Sequence, residues 1–298
     1  MTNSYNTAGT TAITAEGDAS TQQQQQYQHS LKIIASFYPL YDFAQHVAGN
    51  KANVTVMVPI GAEPHDWEPT IQQVQDLKSA DVFIFNGIGM DRWVANVLNG
   101  NNGPRVAVNS SEGLQLLRDS SGQADPHTWL DPVMAKHQVE LIRDGLIKAD
   151  PQNADYYKQN AKDYLTKLDS LNANITTALS NCNTHDFIAF HKAFSYFANR
   201  YNLTQHSLLG EDPEGEIPPQ TLQQMIDLAK QHNIHVIYSE DLLDPRLANV
   251  VASSIPNGKS EVLSPIEGLK PDEQKAGLGY IDKMNLNLMN LREGLECR

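Results

Sequence analysis

The chain has 298 residues, of which 40% are hydrophobic and 19% charged, and its formal net charge is −13. This length exceeds that of a usual single domain and predicts two lobes of roughly 100 to 150 residues. No stretch reaches the ~18 consecutive apolar residues of a membrane span, and the acidic balance argues against nucleic acid as a partner.

Residues 1–30 differ in composition from the rest of the chain. They contain almost no large apolar side chain and end in a glutamine-rich run. We predict a disordered tether here, because such a stretch cannot bury enough surface to offset the entropy of ordering. A signal peptide, with its charged start and apolar centre, is not visible, which leaves a removed export signal or a cytosolic protein as alternatives.

The next hundred residues alternate between strand and helix patterns. Short apolar or β-branched runs predict four strands, in the segments LKIIA, NVTVMVPIG, DVFIFNG and RVAVN. Within LKIIASFYPLYDFAQHVAG the first strand is followed by a predicted helix, and two further helices are predicted from about Ile71 to Ser79 and after Met90. Strands and helices that alternate at this spacing predict parallel βαβ units.

Two helical patterns follow, from Pro132 to Ala149 and from about Ala154 to Leu179. In the second, apolar and aromatic residues recur at helical spacing. A helix of ~25 residues spans nearly 40 Å, enough to connect two lobes.

The α/β alternation then restarts. Strands are predicted in DFIAFH, HVIYSE and SEVLSPIEG, and helices in KAFSYFANRYN, TLQQMIDLAKQHN, LANVVASSI and YIDKMNLNLMNLREGL. The sequence thus predicts an α/β fold with two parallel-sheet lobes joined by one long helix, rather than a barrel, which needs eight regular βα repeats. The predicted boundaries are 31–152 for the first lobe, 153–181 for the linking helix and 182–298 for the second lobe.

The chain has two cysteines, Cys182 and Cys297, and neither belongs to a C-x-x-C pair. Two isolated cysteines in an exported protein commonly pair, so we predict a disulfide, with two inert buried thiols as the alternative.

Three histidines lie where a predicted strand has ended or a loop follows it: His65, His127 and His191. Ligand sites in α/β sheets lie at such positions, and imidazole suits zinc and related ions. A nearby carboxylate can fix which ring nitrogen faces a metal. Each histidine has carboxylate or aromatic neighbours in the chain, namely Asp66, Glu68, Asp125, Asp131, Phe190 and Phe194. The residues alone still allow each histidine to be structural or simply exposed.

Several segments resemble the cluster A-I metal-binding proteins of ABC transporters. They are VMVPIGAEPHDWEPT, ADVFIFNGIGMDRWV, DPHTWLDP, FIAFHKAFSYFANRYNL and VLSPIEGL, within a resemblance from roughly Leu31 to Leu295. The resemblance implies two lobes linked by a rigid helix, with a metal held in the cleft between them. It also implies a monomeric, extracytoplasmic protein, tethered through its N-terminus, that captures a divalent metal and delivers it to an ABC permease without catalysing a reaction.

The resemblance also implies metal ligands. His65 and His127 match the two ligands of the first lobe, and His191 matches the third. The third ligand is histidine in zinc-type members and glutamate in most manganese-type ones, so zinc is expected, with manganese as the alternative. Because a ligating histidine must be deprotonated, metal affinity is expected to fall below a pH of about 6.5.

The fourth ligand is where the chain departs from the common family pattern. Many members carry an aspartate in an L-D-P segment, and Ser264 occupies that place here. Some zinc-type relatives use a glutamate three residues further on, so Glu267 is the predicted fourth ligand. The alternatives are Glu240, Glu63 or a water molecule.

Two other functions compete with metal capture. A metallohydrolase would use the same residues around a catalytic zinc with an open coordination position. A surface adhesin would share the fold, since some members of the cluster A-I family are surface-attached.

Overall fold

The computed structural model describes residues 1–2, 30–98, 103–119, 121–213 and 217–298. The predicted tether at 1–30 lies almost entirely outside the described residues. Two four-stranded sheets organise the rest, and every strand pair in them is parallel.

The first lobe is built on a sheet with the strand order β2-β1-β3-β4. Its elements are β1 (Leu31–Ala35), α1 (Tyr38–Ala48), β2 (Ala52–Val56), α2 (Ile71–Lys78), β3 (Val82–Phe85), α3 (Val94–Leu98), β4 (Val106–Asn109), a 3-10 helix (Thr128–Leu130) and α4 (Pro132–Ala149). The central strands β1 and β3 are almost fully buried, which is why their sequences are apolar apart from the half-buried Lys32.

The second lobe repeats the same strand order, as β6-β5-β7-β8. After a 3-10 turn (Pro151–Asn153), its elements are α5 (Ala154–Ala178), β5 (Asp186–Ala189), α6 (Ser195–Arg200), β6 (Thr204–Ser207), α7 (Pro219–Gln231), β7 (Val236–Ser239), α8 (Arg246–Ser253), β8 (Lys259–Val262), α9 (Pro271–Ala276) and α10 (Tyr280–Gly294). Two lobes of one topology confirm the predicted fold class.

Helix α5 connects the lobes. It has 25 residues and buries one side along its whole length, at Tyr157, Ala161, Tyr164, Leu168, Leu171 and Ile175. It packs against α1 and α4 of the first lobe and against α10 of the second. One hydrophobic core therefore runs from the first sheet along α5 to the second sheet. None of the helices in the described part of the chain combines the length and apolar character needed to cross a bilayer.

The disulfide prediction is confirmed, because Cys182 and Cys297 are bonded. Cys182 lies shortly after α5 ends and Cys297 follows α10, so the bond ties the last residues of the chain to the beginning of the second lobe.

Some element boundaries differ from the sequence prediction. Strand β6 was not predicted, because the segment Thr204–Ser207 is short and polar and lies at the edge of its sheet. The segment 260–268 was predicted as one strand, but β8 ends at Val262 and the remaining residues form a loop. The helix predicted over 192–202 begins only at Ser195, so the residues just after His191 form a turn.

Candidate metal centre

Two histidines reach the cleft from the first lobe. His65 lies in the long loop between β2 and α2, and His127 directly precedes the 3-10 helix Thr128–Leu130. The backbone N–H of His65 donates to both carboxylate oxygens of Glu63, which fixes the loop locally. The backbone N–H of His127 donates to Asp125 Oδ1 at 2.9 Å.

Two further side chains reach the same place from the second lobe. His191 lies two residues after β5, and Glu267 lies in the loop after β8. Both therefore project from the carboxyl ends of parallel strands, where α/β sheets place their ligands.

The loop that carries Glu267 has an unusual backbone. Ile266 has a φ of 59°, a left-handed conformation that β-branched residues rarely adopt. Its N–H donates to Ser264 Oγ at 3.1 Å, and Trp129 Nε1 of the first lobe donates to the carbonyl of Pro265 at 2.7 Å. These contacts hold the turn in the conformation that directs Glu267 into the cleft.

One carboxylate oxygen lies close to all three rings of the cluster. Glu267 Oε1 is 3.3 Å from His65 Nε2, 3.2 Å from His127 Nε2 and 3.7 Å from His191 Nε2. The Nε2 atoms of His127 and His191 are 3.2 Å apart. Ligands that surround a tetrahedral zinc ion at 2.0–2.1 Å lie about 3.3–3.4 Å from one another. These four distances are close to that ligand spacing, and the donor atoms of all four side chains lie within 4.8 Å of one another.

Buried carboxylates orient two of the rings. His127 Nδ1 donates to Asp125 Oδ1 at 2.8 Å, and His191 Nδ1 donates to Glu240 Oε1 at 2.5 Å. With Nδ1 committed to a carboxylate, a neutral ring presents the lone pair of Nε2 to the centre of the cluster. Three carboxylates, those of Asp125, Glu240 and Glu267, thus give the buried site a strongly negative environment that favours a cation.

The attraction between the histidines and the carboxylates shifts the pKa values of the site. Burial disfavours the protonated form of His127, but its hydrogen bonds to Asp125 and Glu267 outweigh burial and raise its pKa to about 10. The pKa of His65 is also raised, because the attraction of Glu267 exceeds the cost of burial. Burial alone would raise the pKa of Glu267, yet the surrounding histidines hold it far below its usual range. A proton or a metal ion therefore balances the Glu267 carboxylate.

The structure separates the candidates for the fourth donor. Glu267 belongs to the group of atoms that lie within 4.8 Å of one another, together with the three histidines. Glu240 instead contacts Nδ1 of His191, on the side of the ring away from the cluster. Glu63 accepts from the backbone of His65. Ser264, at the place of the common family aspartate, donates its hydroxyl to Asp241 at 2.6 Å.

Of the neighbours singled out in the sequence, only Asp125 contacts a ring of the cluster by a hydrogen bond. Asp131 instead caps α4 and forms a two-point ion pair with Arg200. Asp66 and Glu68 are exposed to solvent, while Phe190 and Phe194 are buried in the second lobe.

The charged residues that line the cavity beside the cluster were not predicted from the sequence. A cavity lined by His65, Arg92, Lys192 and Glu211 leads to the outer side of the cluster. Burial raises the pKa of Glu211, whose Oε1 lies 3.9 Å from Lys192 Nζ. Glu240 was foreseen only as an alternative ligand. Its position at the carboxyl end of β7, next to β5 in the sheet, was the sequence signal for its contact with His191.

Two parallel α/β lobes joined by a long helix, with polar side chains meeting between them, define the class of two-lobed solute-binding proteins. Residues 33–294 match the family described as "ZnuA: Zinc-uptake complex component A periplasmic". The chain belongs to this family, as the resemblance in its sequence predicted.

Individual relatives agree with this assignment. The chain is 36% identical to the high-affinity zinc uptake system protein ZnuA of Bacillus subtilis (strain 168), over 89% of this chain and 88% of that protein. It is 34% identical to the Zn(II)-bound ZnuA-like domain of Streptococcus pneumoniae AdcA, with a TM-score of 0.81 over 90% of this chain and 99% of that one. It is 29% identical to the laminin-binding protein Lmb of Streptococcus agalactiae, with a TM-score of 0.82 over 89% of this chain and 99% of that one. Lmb is described as a bifunctional protein with adhesin and metal transporting activity.

Proposed function

We propose that this protein captures one zinc ion in the cleft between its lobes and delivers it to an ABC permease. The proposed ligands are Nε2 of His65, His127 and His191 and the carboxylate of Glu267. The observation that carries the proposal is the convergence of these four donor atoms, with 3.2–3.7 Å between each imidazole nitrogen and Glu267 Oε1, close to the ligand spacing around zinc.

Zinc is favoured over manganese by the chemistry of the donors. Three imidazole nitrogens and one carboxylate suit zinc, whereas manganese prefers sites richer in oxygen. His191 is the decisive ligand, because an oxygen donor at its position would shift the preference towards manganese. The relatives named for zinc uptake and zinc binding support the same choice.

The proposed site binds its ion without catalysing a reaction. Four protein donors complete a tetrahedral zinc site and leave no open position for a substrate or an activated water. The side chains of His127, His191 and Glu267 are at most 2% exposed, so these three donors are shielded from solvent. These features argue against the metallohydrolase alternative.

The arrangement of the ligands suggests how the ion is released. With proposed lobes at 31–152 and 182–298 and a linking helix at 153–181, two ligands come from each lobe. Movement of one lobe relative to the other would separate the pairs and break the tetrahedral site. A permease that binds both lobes could therefore trigger release. We place the protein outside the cytoplasm, as the family description supports, with residues 1–30 as its tether to the membrane.

The proposal is tested by metal analysis of the purified protein after incubation with equimolar zinc and manganese and extensive dialysis. We expect one equivalent of zinc in the wild type and less than one-tenth of that in His191→Ala. His185→Ala, which removes an exposed histidine outside the cluster, is the control and should retain the full equivalent. Retention of zinc by His191→Ala, or a preference for manganese, would overturn the proposal.

Delivery requires a separate experiment. A bacterial strain that lacks its own zinc-binding transport component but keeps the matching permease should regain growth in zinc-limited medium with the wild-type chain and not with His191→Ala. A surface adhesin remains the second candidate, because one structural neighbour is titled bifunctional. Binding of the purified protein to immobilised laminin tests it, and adhesion that is independent of zinc would support that second activity.

A further inference from the structure

We propose that Asp186, His206 and His232 form a second binding site for a divalent transition-metal ion, separate from the cleft. The Asp186 carboxylate and the two imidazoles each offer a ligand atom, and these atoms lie within 4.8 Å of one another. Two histidines and one carboxylate suit zinc, copper and nickel.

The three side chains are held by different elements of the second lobe. Asp186 is the first residue of β5, His206 lies in β6, and His232 directly follows α7. In the parallel pairing of β5 with β6, His206 lies opposite Ile188. Since alternate residues of a strand share a face, Asp186 and His206 project from the same side of the sheet. Positions on strands and at a helix end are more rigid than positions on long loops, which suits a preformed site.

Both rings approach the same carboxylate oxygen. Asp186 Oδ1 lies 2.7 Å from His206 Nε2 and 3.5 Å from His232 Nδ1. The two ring centroids are 5.5 Å apart. Donors around a tetrahedral zinc lie about 3.3–3.4 Å apart, so a small rotation of the His206 ring would open the 2.7 Å contact to a ligand spacing. The ion would replace the proton that His206 now shares with Asp186.

The exposure of the group differs from that of the cleft. The side chains of Asp186, His206 and His232 are 26%, 20% and 37% exposed. An ion can reach them directly from solvent, and water can occupy the remaining coordination positions. Three ligands close to water, one of them a carboxylate, should hold zinc more weakly than the buried site with four protein ligands.

The two sites lie at opposite ends of the strands of one sheet. Asp186 opens β5, and His191 follows its carboxyl end. At about 3.3 Å per residue, the five steps between them correspond to roughly 16 Å. Two divalent ions at this distance repel each other only weakly across protein and solvent, so both sites can be filled together. The second site therefore does not depend on the function proposed for the first.

The proposal is tested by equilibrium dialysis of the untagged protein against increasing zinc chloride at pH 7.5. We expect two equivalents in the wild type, one tight and one weaker. His206→Gln and His232→Gln should each weaken the second equivalent at least about tenfold, because each removes a ligand. The tight equivalent should be unchanged in both variants, which also shows that they are folded.

His235→Gln is the matched control. His235 directly precedes β7, so it lies near the amino-terminal ends of the strands, as Asp186 does. Its Nδ1, however, contacts the carbonyl of Pro256 at 3.0 Å. This variant should keep both equivalents. The proposal is wrong if the wild type binds a single equivalent, if both triad variants keep the weaker one, or if His235→Gln loses it equally. In His191→Ala the weaker equivalent should persist, so failure of the cleft site and failure of this site are distinguishable.

Discussion

His127 Nε2, in the first lobe, lies 3.2 Å from Glu267 Oε1, in the second lobe. Both side chains are buried, and their contact joins the lobes at the centre of the donor cluster. A metal ion bound between them would contact both lobes at once. Binding of the ion and closure of the cleft are therefore coupled in the proposed function.

Glu267→Gln should weaken zinc binding strongly. The amide keeps the shape of the side chain but removes the negative charge that the three imidazoles surround. We expect at least a hundredfold loss of affinity in competition titrations with a zinc chelator. Glu63→Gln, which alters a carboxylate near His65 outside the donor group, should change affinity less than tenfold. A larger loss in Glu63→Gln than in Glu267→Gln would contradict the assignment of the fourth ligand.

Glu240→Gln tests the role of the carboxylate behind His191. Its oxygen fixes the ring through Nδ1, and loss of such a partner typically lowers metal affinity 10–100-fold. Isothermal titration calorimetry should show this loss with the stoichiometry unchanged. Glu68→Gln, at an exposed position, is the control and should have no effect. An unchanged affinity in Glu240→Gln would mean that the ring is held by packing alone.

Zinc binding should release protons and weaken as the pH falls. The pKa of His127 in the ion-free site is raised to about 10, so this ring is protonated at neutral pH and must lose a proton to bind. Affinity should therefore rise with pH from 6 to 8, by about tenfold per unit for each proton released. Because the pKa of Glu267 is lowered, that carboxylate stays ionised throughout.

The proton release is measured by calorimetry in buffers with different heats of ionisation. At least about one proton per zinc is expected at pH 7. An affinity that is flat from pH 6 to 8, without released protons, would show that His127 binds no proton in the ion-free protein. The sequence alone suggested a decline only below about pH 6.5, since it could not reveal the two carboxylates around this ring.

The overall fold was largely predictable from local patterns. The buried strand VFIF is apolar throughout, LKIIA is apolar except for Lys32, and α5 repeats its apolar residues at helical spacing. Strand β6 was missed because four polar residues at a sheet edge carry no such signal. The exact end of β8 was missed because the strand itself, KSEV, is mostly polar, and the apolar residues Leu263 and Ile266 lie in the loop that follows it.

The site was predictable only in part. The positions of His65, His127 and His191 after strands indicated a ligand edge, but their convergence depends on how two lobes pack, which no local pattern specifies. The choice of Glu267 came from the family resemblance. Its orientation depends on the left-handed Ile266 and on the contact of Trp129 with Pro265, which are properties of the folded chain.

The disulfide should contribute to stability and not to metal binding. It closes a loop with a sequence separation of 115 residues, and Cys182 precedes β5 whereas His191 follows the other end of that strand. The double variant Cys182→Ser, Cys297→Ser should lower the free energy of unfolding by about 2–4 kcal/mol, measured by urea denaturation. Its zinc affinity should stay within about threefold of the wild type. A large loss of affinity would mean that the disulfide supports the geometry of the cleft.

The most direct test of the proposed function is anomalous diffraction at the zinc absorption edge from crystals of the zinc-loaded protein. The account predicts an anomalous peak in the cleft, about 2.0–2.2 Å from Nε2 of His65, His127 and His191 and from a carboxylate oxygen of Glu267. A zinc-loaded crystal with no peak among these four side chains, or with a cleft peak that lies out of contact with one of the three histidines, would contradict it.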